Sequence, residues 1–134
     1  MQRARRTAEL AGFPDPQITD LLREFDYGEY EGLTSAEIRA SRPGWEIYRD
    51  GCPGGESPAQ VYARAQQFLD LATSAAAGGG DVLAFAHGHI LRAVAVAWLA
   101  FDITTASEFR LDVATLSQLA ATDHGRELAL WNSA

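Results

Sequence analysis

The 134-residue chain contains no lysine; all 11 of its basic residues are arginines. Arginine suits bidentate contacts to phosphate, although a bias in base composition gives the same count and carries more weight. Cysteine is nearly absent as well. Cys52 stands alone, which excludes a disulfide within the chain and leaves no thiolate set for zinc. No apolar run is long enough to span a bilayer. The basic start Met1-Gln2-Arg3-Ala4-Arg5-Arg6 is not followed by an apolar signal core, so a cytoplasmic protein is expected. With 11 positive against 18 negative side chains the net charge is -7. That field repels nucleic acid and anionic membrane, and neither is expected as a partner. Histidine is scarce too, at positions 87, 89 and 124 only.

Hydrophobic residues make up 47% of the chain, enough for one domain over residues 1–134 with its own core. Gln2 to Ala11 reads as a helix stopped by Gly12, and Pro14 and Pro16 as a loop. Ile18 to Leu22 fits a short strand or an extended segment. Thr34-Ser35-Ala36-Glu37 is a capping box opening a helix to about Ala40, ahead of Pro43. Asp50 to Gly55 is turn-rich. Ser57 and Pro58 start a helix whose apolar face is Val61, Ala65, Phe68, Leu69 and Ala72. Asp81 to Ala86 has the composition of a buried parallel strand, followed by an apolar helix from Ile90 to about Phe101. Leu116 to Ala121 and Glu127 to Trp131 read as strands joined by Asp123-His124-Gly125. The alternation predicts an α/β fold.

The densest chemical signal is Phe85-Ala86-His87-Gly88-His89-Ile90-Leu91-Arg92, a strand end, a histidine, a glycine and a helix start. Ligands of open α/β sheets bind at the carboxyl ends of strands. A helix start presents free N–H groups that favour an anion, and Gly88 leaves the backbone approachable. A strand-end histidine bonded to a nearby carbonyl fits the same spacing equally well.

These eight residues resemble the second-histidine motif of the histidine phosphatases, the phosphoglycerate-mutase-like superfamily. Three further stretches resemble that family in the right order. Arg3-Ala4-Arg5-Arg6-Thr7-Ala8-Glu9 is similar to the helix with a phosphate-binding arginine, matched at Arg3. Leu22 to Gly32 is similar to the loop with the acidic residue, matched at Glu24. Gly54-Gly55-Glu56-Ser57, with Val61 and Arg64, is similar to the lead-in to the long helix.

The resemblance implies a three-layer α/β/α fold around a mostly parallel sheet. It also implies phosphoryl transfer through a phosphohistidine, with no metal and no cofactor, on a small phosphorylated metabolite. Arg3 and His87 then hold the phosphoryl group, and Glu24 is the proton donor and later the base. Tyr27, Gly88 and His89 join the phosphate or substrate contacts. On residue type alone, Arg3 is one more solvated helix arginine and Glu24 an ordinary loop carboxylate.

The family's nucleophile belongs to an Arg-His-Gly motif at the end of its first, central strand, and no Arg-His-Gly occurs in these 134 residues. The expectation is a domain lacking that segment, inactive alone, with an exposed sheet edge and a tendency to self-associate. The family's mutases carry a lysine where this chain has Ser35, and the wording around residues 26–32 and 50–57 is closer to the acid phosphatases and sugar bisphosphatases. Phosphomonoester hydrolysis is therefore expected over mutase activity. A non-catalytic phosphate-binding or interaction fragment is the alternative from another class.

Overall fold

Most of the regular structure in the computed structural model, which describes residues 2–134, is helical; Met1 lies outside the described residues. Helix α1 spans Gln2–Leu10 and buries only Ala8. Gly12, at φ +94°, ends the turn that follows it. Residues 18–22 form no strand: Thr19 caps a 3-10 turn at Asp20–Leu22 and Ile18 is exposed. Helix α2, Ser35–Ser41, carries the capping box between Thr34 and Glu37. A one-turn helix α3, Ile47–Asp50, was not foreseen; Glu46 caps it through Tyr48 N–H.

Helix α4, Pro58–Ala76, begins as its sequence dictates. Ser57 accepts from Gln60 N–H, the Gln60 side chain answers, and Pro58 takes a position where its missing N–H costs nothing. Helix α5, Gly88–Trp98, is buried at Ile90 and from Ala93 to Trp98. An almost wholly apolar helix belongs in an interior, and α5 packs along α4 in the core with Val61, Ala65, Phe68 and Leu69. It stops short of Phe101 because Leu99 ends it and Ala100 turns to φ +56°. A second element not foreseen, a 3-10 turn at Ile103–Glu108, is capped by Asp102.

Strands β1, Leu116–Thr122, and β2, Gly125–Ser133, form an antiparallel hairpin with Thr122 opposite Gly125. The strands are joined at Asp123-His124-Gly125 as the sequence predicted, with the positive φ, +121°, at Gly125. This hairpin is the only sheet among the described residues.

Residues 81–86 correct the sequence reading. The segment is neither a paired strand nor buried: Val82 and Leu83 are 45% and 49% exposed. An apolar run becomes an inner strand only if neighbours take its backbone groups and cover its faces. Among the described residues nothing pairs with it, and only Ala84 and Ala86 rest on the core. Between this segment, α1 and α4 lies an apolar groove of about 180 Å³ lined by Ala4, Ala8, Phe68, Leu83 and Phe85.

Exposed apolar surface beside unpaired backbone is a template for association. At tens of micromolar the 134-residue chain is expected to elute from size-exclusion chromatography as dimers and larger species. Val82→Arg with Leu83→Glu should shift it toward monomer. A sharp monomeric peak from the unaltered chain would contradict this account of the edge.

Candidate functional site

The site begins at the N-terminus of α5. His87 is its N-cap, in extended conformation, and its side chain makes no capping bond. The free N–H groups of the first turn therefore need an acceptor from elsewhere. Glu24 supplies it. Glu24 Oε1 accepts from Ile90 N–H at 3.0 Å and from Phe25 N–H at 3.0 Å, and Oε2 accepts from His89 N–H at 3.2 Å. A carboxylate thus sits where a helix start favours an anion.

Burial pushes the Glu24 carboxyl up. The His89 imidazole, 3.7 Å from Oε2, and the backbone N–H groups of Phe25 and His89 overcome that and bring it down to about 2. Since the folded value lies below the ordinary 4.5, Glu24 stabilises the fold above that range, and the contribution is lost as pH falls from about 4.5 toward 2.

Beside Glu24 opens a basin of about 620 Å³ lined by Arg3, Arg23, Glu24, Asp26, Tyr27 and His87. Arg3 and Glu24 are 21 positions apart and His87 lies 63 beyond Glu24, yet α1, the 20–30 loop and the α5 N-cap bring the three to one wall-to-wall space. Burial holds the His87 imidazole below the ordinary histidine range and nearby Arg3 adds to this, while Glu24 opposes it. Gly88 has nothing within 4 Å of where a Cβ would stand, so the backbone is open on that side.

His89 faces elsewhere. Its Nδ1 lies 2.7 Å from the Tyr27 hydroxyl, and its ring meets Phe25 and Tyr27 edge-on. The Tyr48 hydroxyl donates to His89 C=O at 2.8 Å. Burial first, then the charge of Glu24, pushes the Tyr27 hydroxyl above the ordinary tyrosine range, which keeps its proton in place. His89 lines a second recess of about 560 Å³ with Tyr27, Tyr30, Trp45, Tyr48 and Arg92. Tyr27 belongs to both spaces.

Sequence reasoning gave no role to Arg23 or Tyr48, and read Arg92 as a residue that packs or pairs. Arg92 lies over the Tyr48 ring at 5.5 Å and donates to Gly88 C=O at 3.2 Å. Its position one helical turn past Gly88 was the available signal. Tyr48 had none, since α3 itself was not foreseen. Cys52 is buried, and its thiol is pushed up to about 11 by burial and by Asp26 and Glu31, so it is no nucleophile. His124 lies exposed in the hairpin turn. No cluster of three metal-ligating side chains occurs among the described residues.

Comparison with known proteins gives the family. A profile of the histidine phosphatase superfamily (branch 1) matches residues 1–134. The chain belongs to that superfamily. It is 42% identical, over 130 residues, to an acid phosphatase of Mycobacterium tuberculosis (strain ATCC 25618 / H37Rv), covering 96% of this chain and 63% of that protein. To sedoheptulose 1,7-bisphosphatase of Saccharomyces cerevisiae it is 34% identical over 124 residues, 75% of this chain and 46% of the relative. The chain thus spans about half to two-thirds of the curated relatives it matches. The solved structure of an open reading frame product of Mycobacterium tuberculosis superposes with a TM-score of 0.93 at 39% identity, over 98% of this chain and 68% of that one. The histidine phosphatase fold and a phosphatase kinship are therefore established for the chain.

Proposed function

We infer that this histidine phosphatase chain builds the phosphate clamp and the proton-transfer side of a phosphomonoesterase that works through a phosphohistidine on a small phosphorylated metabolite. The observation that carries the reading is the single basin in which Arg3, Glu24 and His87 meet the N-terminus of α5. The phosphoryl oxygens lie between Arg3 and His87, whose donors meet the charge that spreads over them in the transition state. The leaving group extends past Tyr27 toward the second recess.

In the first step a histidine nitrogen attacks phosphorus, the ester P–O bond breaks, and the leaving oxygen takes a proton from Glu24. In the second, water gives its proton to Glu24 and its oxygen attacks phosphorus. The P–N bond breaks and phosphate departs. His87 holds the phosphoryl group, so the nucleophile is the histidine of the family's Arg-His-Gly motif, which these 134 residues do not contain. The same reading gives residues 81–86 a neighbouring strand from outside them, completing a mostly parallel sheet between helical layers. It places the enzyme in the cytoplasm, which suits its one unpaired, buried cysteine. The lack of any lysine weighs against mutase chemistry.

Glu24 must gain a proton to act, and with no ligand it holds none. A bound dianion beside it supplies the cause, since like charge raises a carboxyl pKa. Binding should therefore be accompanied by proton uptake that grows as pH falls from 7 to 5. Sulfate is the probe, because it stays a dianion throughout and only protein protons are counted. Calorimetric titration in buffers of different ionisation enthalpy reads the uptake. Glu24→Gln should remove the share of it that belongs to Glu24, leaving uptake by His87, and Arg3→Ala with His87→Ala should abolish sulfate binding. Binding without proton uptake, or binding that survives loss of both Arg3 and His87, would overturn the reading.

A further inference from the structure

The family's catalytic roles leave one motif unused: Glu56 ahead of α4 and Arg64 two turns into it. Both are buried, at 8% and 9% exposure, in a chain whose other charged side chains are mostly at the surface. They form a bidentate pair, Arg64 Nε to Glu56 Oε1 at 2.9 Å and Nη2 to Oε2 at 2.8 Å. Burying such a pair gives little stability by itself, because the desolvation of both charges offsets their attraction. What the pair does with its remaining donors and acceptors is more informative.

Arg64 Nη1 donates to Leu21 C=O at 2.9 Å and to Arg23 C=O at 2.7 Å. Glu56 Oε2 accepts from Asp26 N–H at 3.0 Å, and Glu56 N–H donates to Asp26 C=O at 3.0 Å. Arg23 reaches Glu56 Oε1 at 3.5 Å. The backbone is thus gripped at 21 and 23 on one side of Glu24 and at 26 on the other. Arg64 Nη2 also reaches Glu24 C=O at 3.5 Å, so the main chain at Glu24 is held while its side chain projects onto the amides of α5.

We propose that Glu56 and Arg64 are positioning residues for proton transfer: by gripping the backbone on both sides of Glu24 they set where its carboxylate stands relative to a bound phosphoryl group. The inference rests on the reading of Glu24 as proton donor given above. Neither residue lines the phosphate basin, so neither contributes to holding the phosphoryl group. Their loss acts on the chemical step and spares phosphate affinity.

Breaking the pair singly strands a buried charge and invites unfolding. The test therefore uses Glu56→Leu/Arg64→Met together, which keeps volume and removes both charges, and Arg64→Lys, which keeps charge but cannot serve a carboxylate and two carbonyls at once. The enzyme is the chain with an Arg-His-Gly-bearing segment, assayed on an alkyl phosphate. In the double variant kcat is expected to fall about 100-fold, while the inhibition constant of inorganic phosphate changes less than about 3-fold. Arg64→Lys should recover only part of the rate. In a Glu24→Gln background the double variant should cost almost nothing more, because the group it positions is already gone.

A second readout is independent of catalysis. Hydrogen exchange in the 134-residue chain should quicken at residues 24–26 and 88–90 in the double variant, where Glu24 caps the amides. Equal losses of rate with and without Glu24, or unchanged exchange at these residues, would overturn the proposal. If instead Glu24→Gln leaves the alkyl phosphate rate intact, the functional reading fails. Exchange then still decides whether the pair sets the loop.

Discussion

If the proposed function holds, Glu24→Gln in an Arg-His-Gly-bearing form of this histidine phosphatase superfamily chain should lower kcat on an alkyl phosphate by about 10²–10⁴-fold. In single-turnover measurement, which reads the first step alone, it should slow release of p-nitrophenolate far less. The difference lies in the leaving group. An alkoxide cannot depart unprotonated, and the acid that meets it is the carboxyl at the α5 N-terminus. A nitrophenolate leaves readily without a proton, so losing the donor matters little in the first step. His87→Ala should behave otherwise, lowering kcat by about 10²-fold on both substrates, because it removes a donor to the phosphoryl oxygens whatever leaves. A chelator should change none of these rates. The 134 residues alone should release no phosphate from either substrate, since on the proposed reading the attacking histidine belongs to the Arg-His-Gly motif they do not contain. Comparable losses in the first step on both substrates for Glu24→Gln would remove Glu24 from the proton-donor role. Robust turnover by the 134 residues alone would place the nucleophile within them.

The second large effect concerns the backbone. Gly55→Ala should destabilise the fold by more than about 3 kcal/mol in urea unfolding. A Cβ on Gly55 would stand 2.2 Å from Asp26 C=O and 2.7 Å from Gly28 N. Both are backbone atoms and cannot swing away. Gly28, at φ +49°, meets the same loop from the other side, where a Cβ would be 2.3 Å from Gly55 N and from Pro53 C=O. Glu29 N–H donates to Pro53 C=O at 2.8 Å across this contact. The 26–28 and 53–55 loops touch main chain to main chain, which only glycine permits. Gly78→Ala is the matched control, since nothing lies within 4 Å of its Cβ position; it should be neutral or slightly stabilising. Equal stability for the two variants would mean the loops are looser than described.

Local chemistry made some of this structure legible from sequence. Ser57-Pro58 and Gln60 set the start of α4, Thr34 and Glu37 the start of α2, and Asp123-His124 the hairpin, because each signal acts within a few residues. The phosphatase kinship was legible because four short motifs kept their order. Residues 81–86 were misread because burial of an apolar run depends on neighbours that composition does not reveal. The one-turn helix at Ile47–Asp50 is too short for any periodicity to emerge, and its cap, Glu46, is not among the usual capping residues. The Glu56–Arg64 pair was seen as a helix lead-in, but its grip on residues 21–26 spans about 40 positions of sequence. The seat of Glu24 on α5 joins residues 65 and 66 positions apart, a distance no local rule reaches.

That seat bears on how a catalytic cycle ends. An anion site that fills itself in the resting state has no empty positive hollow to retain free phosphate. Any incoming oxyanion competes with a tethered carboxylate for the same amides, and a tethered group is always at hand. After the second step Glu24 holds the proton taken from water. On the proposed reading, once that proton passes to solvent the carboxylate is ionised again and is drawn back to the amides of His89 and Ile90. Its return displaces the product. On the proposed reading, release and resetting of the site become one event.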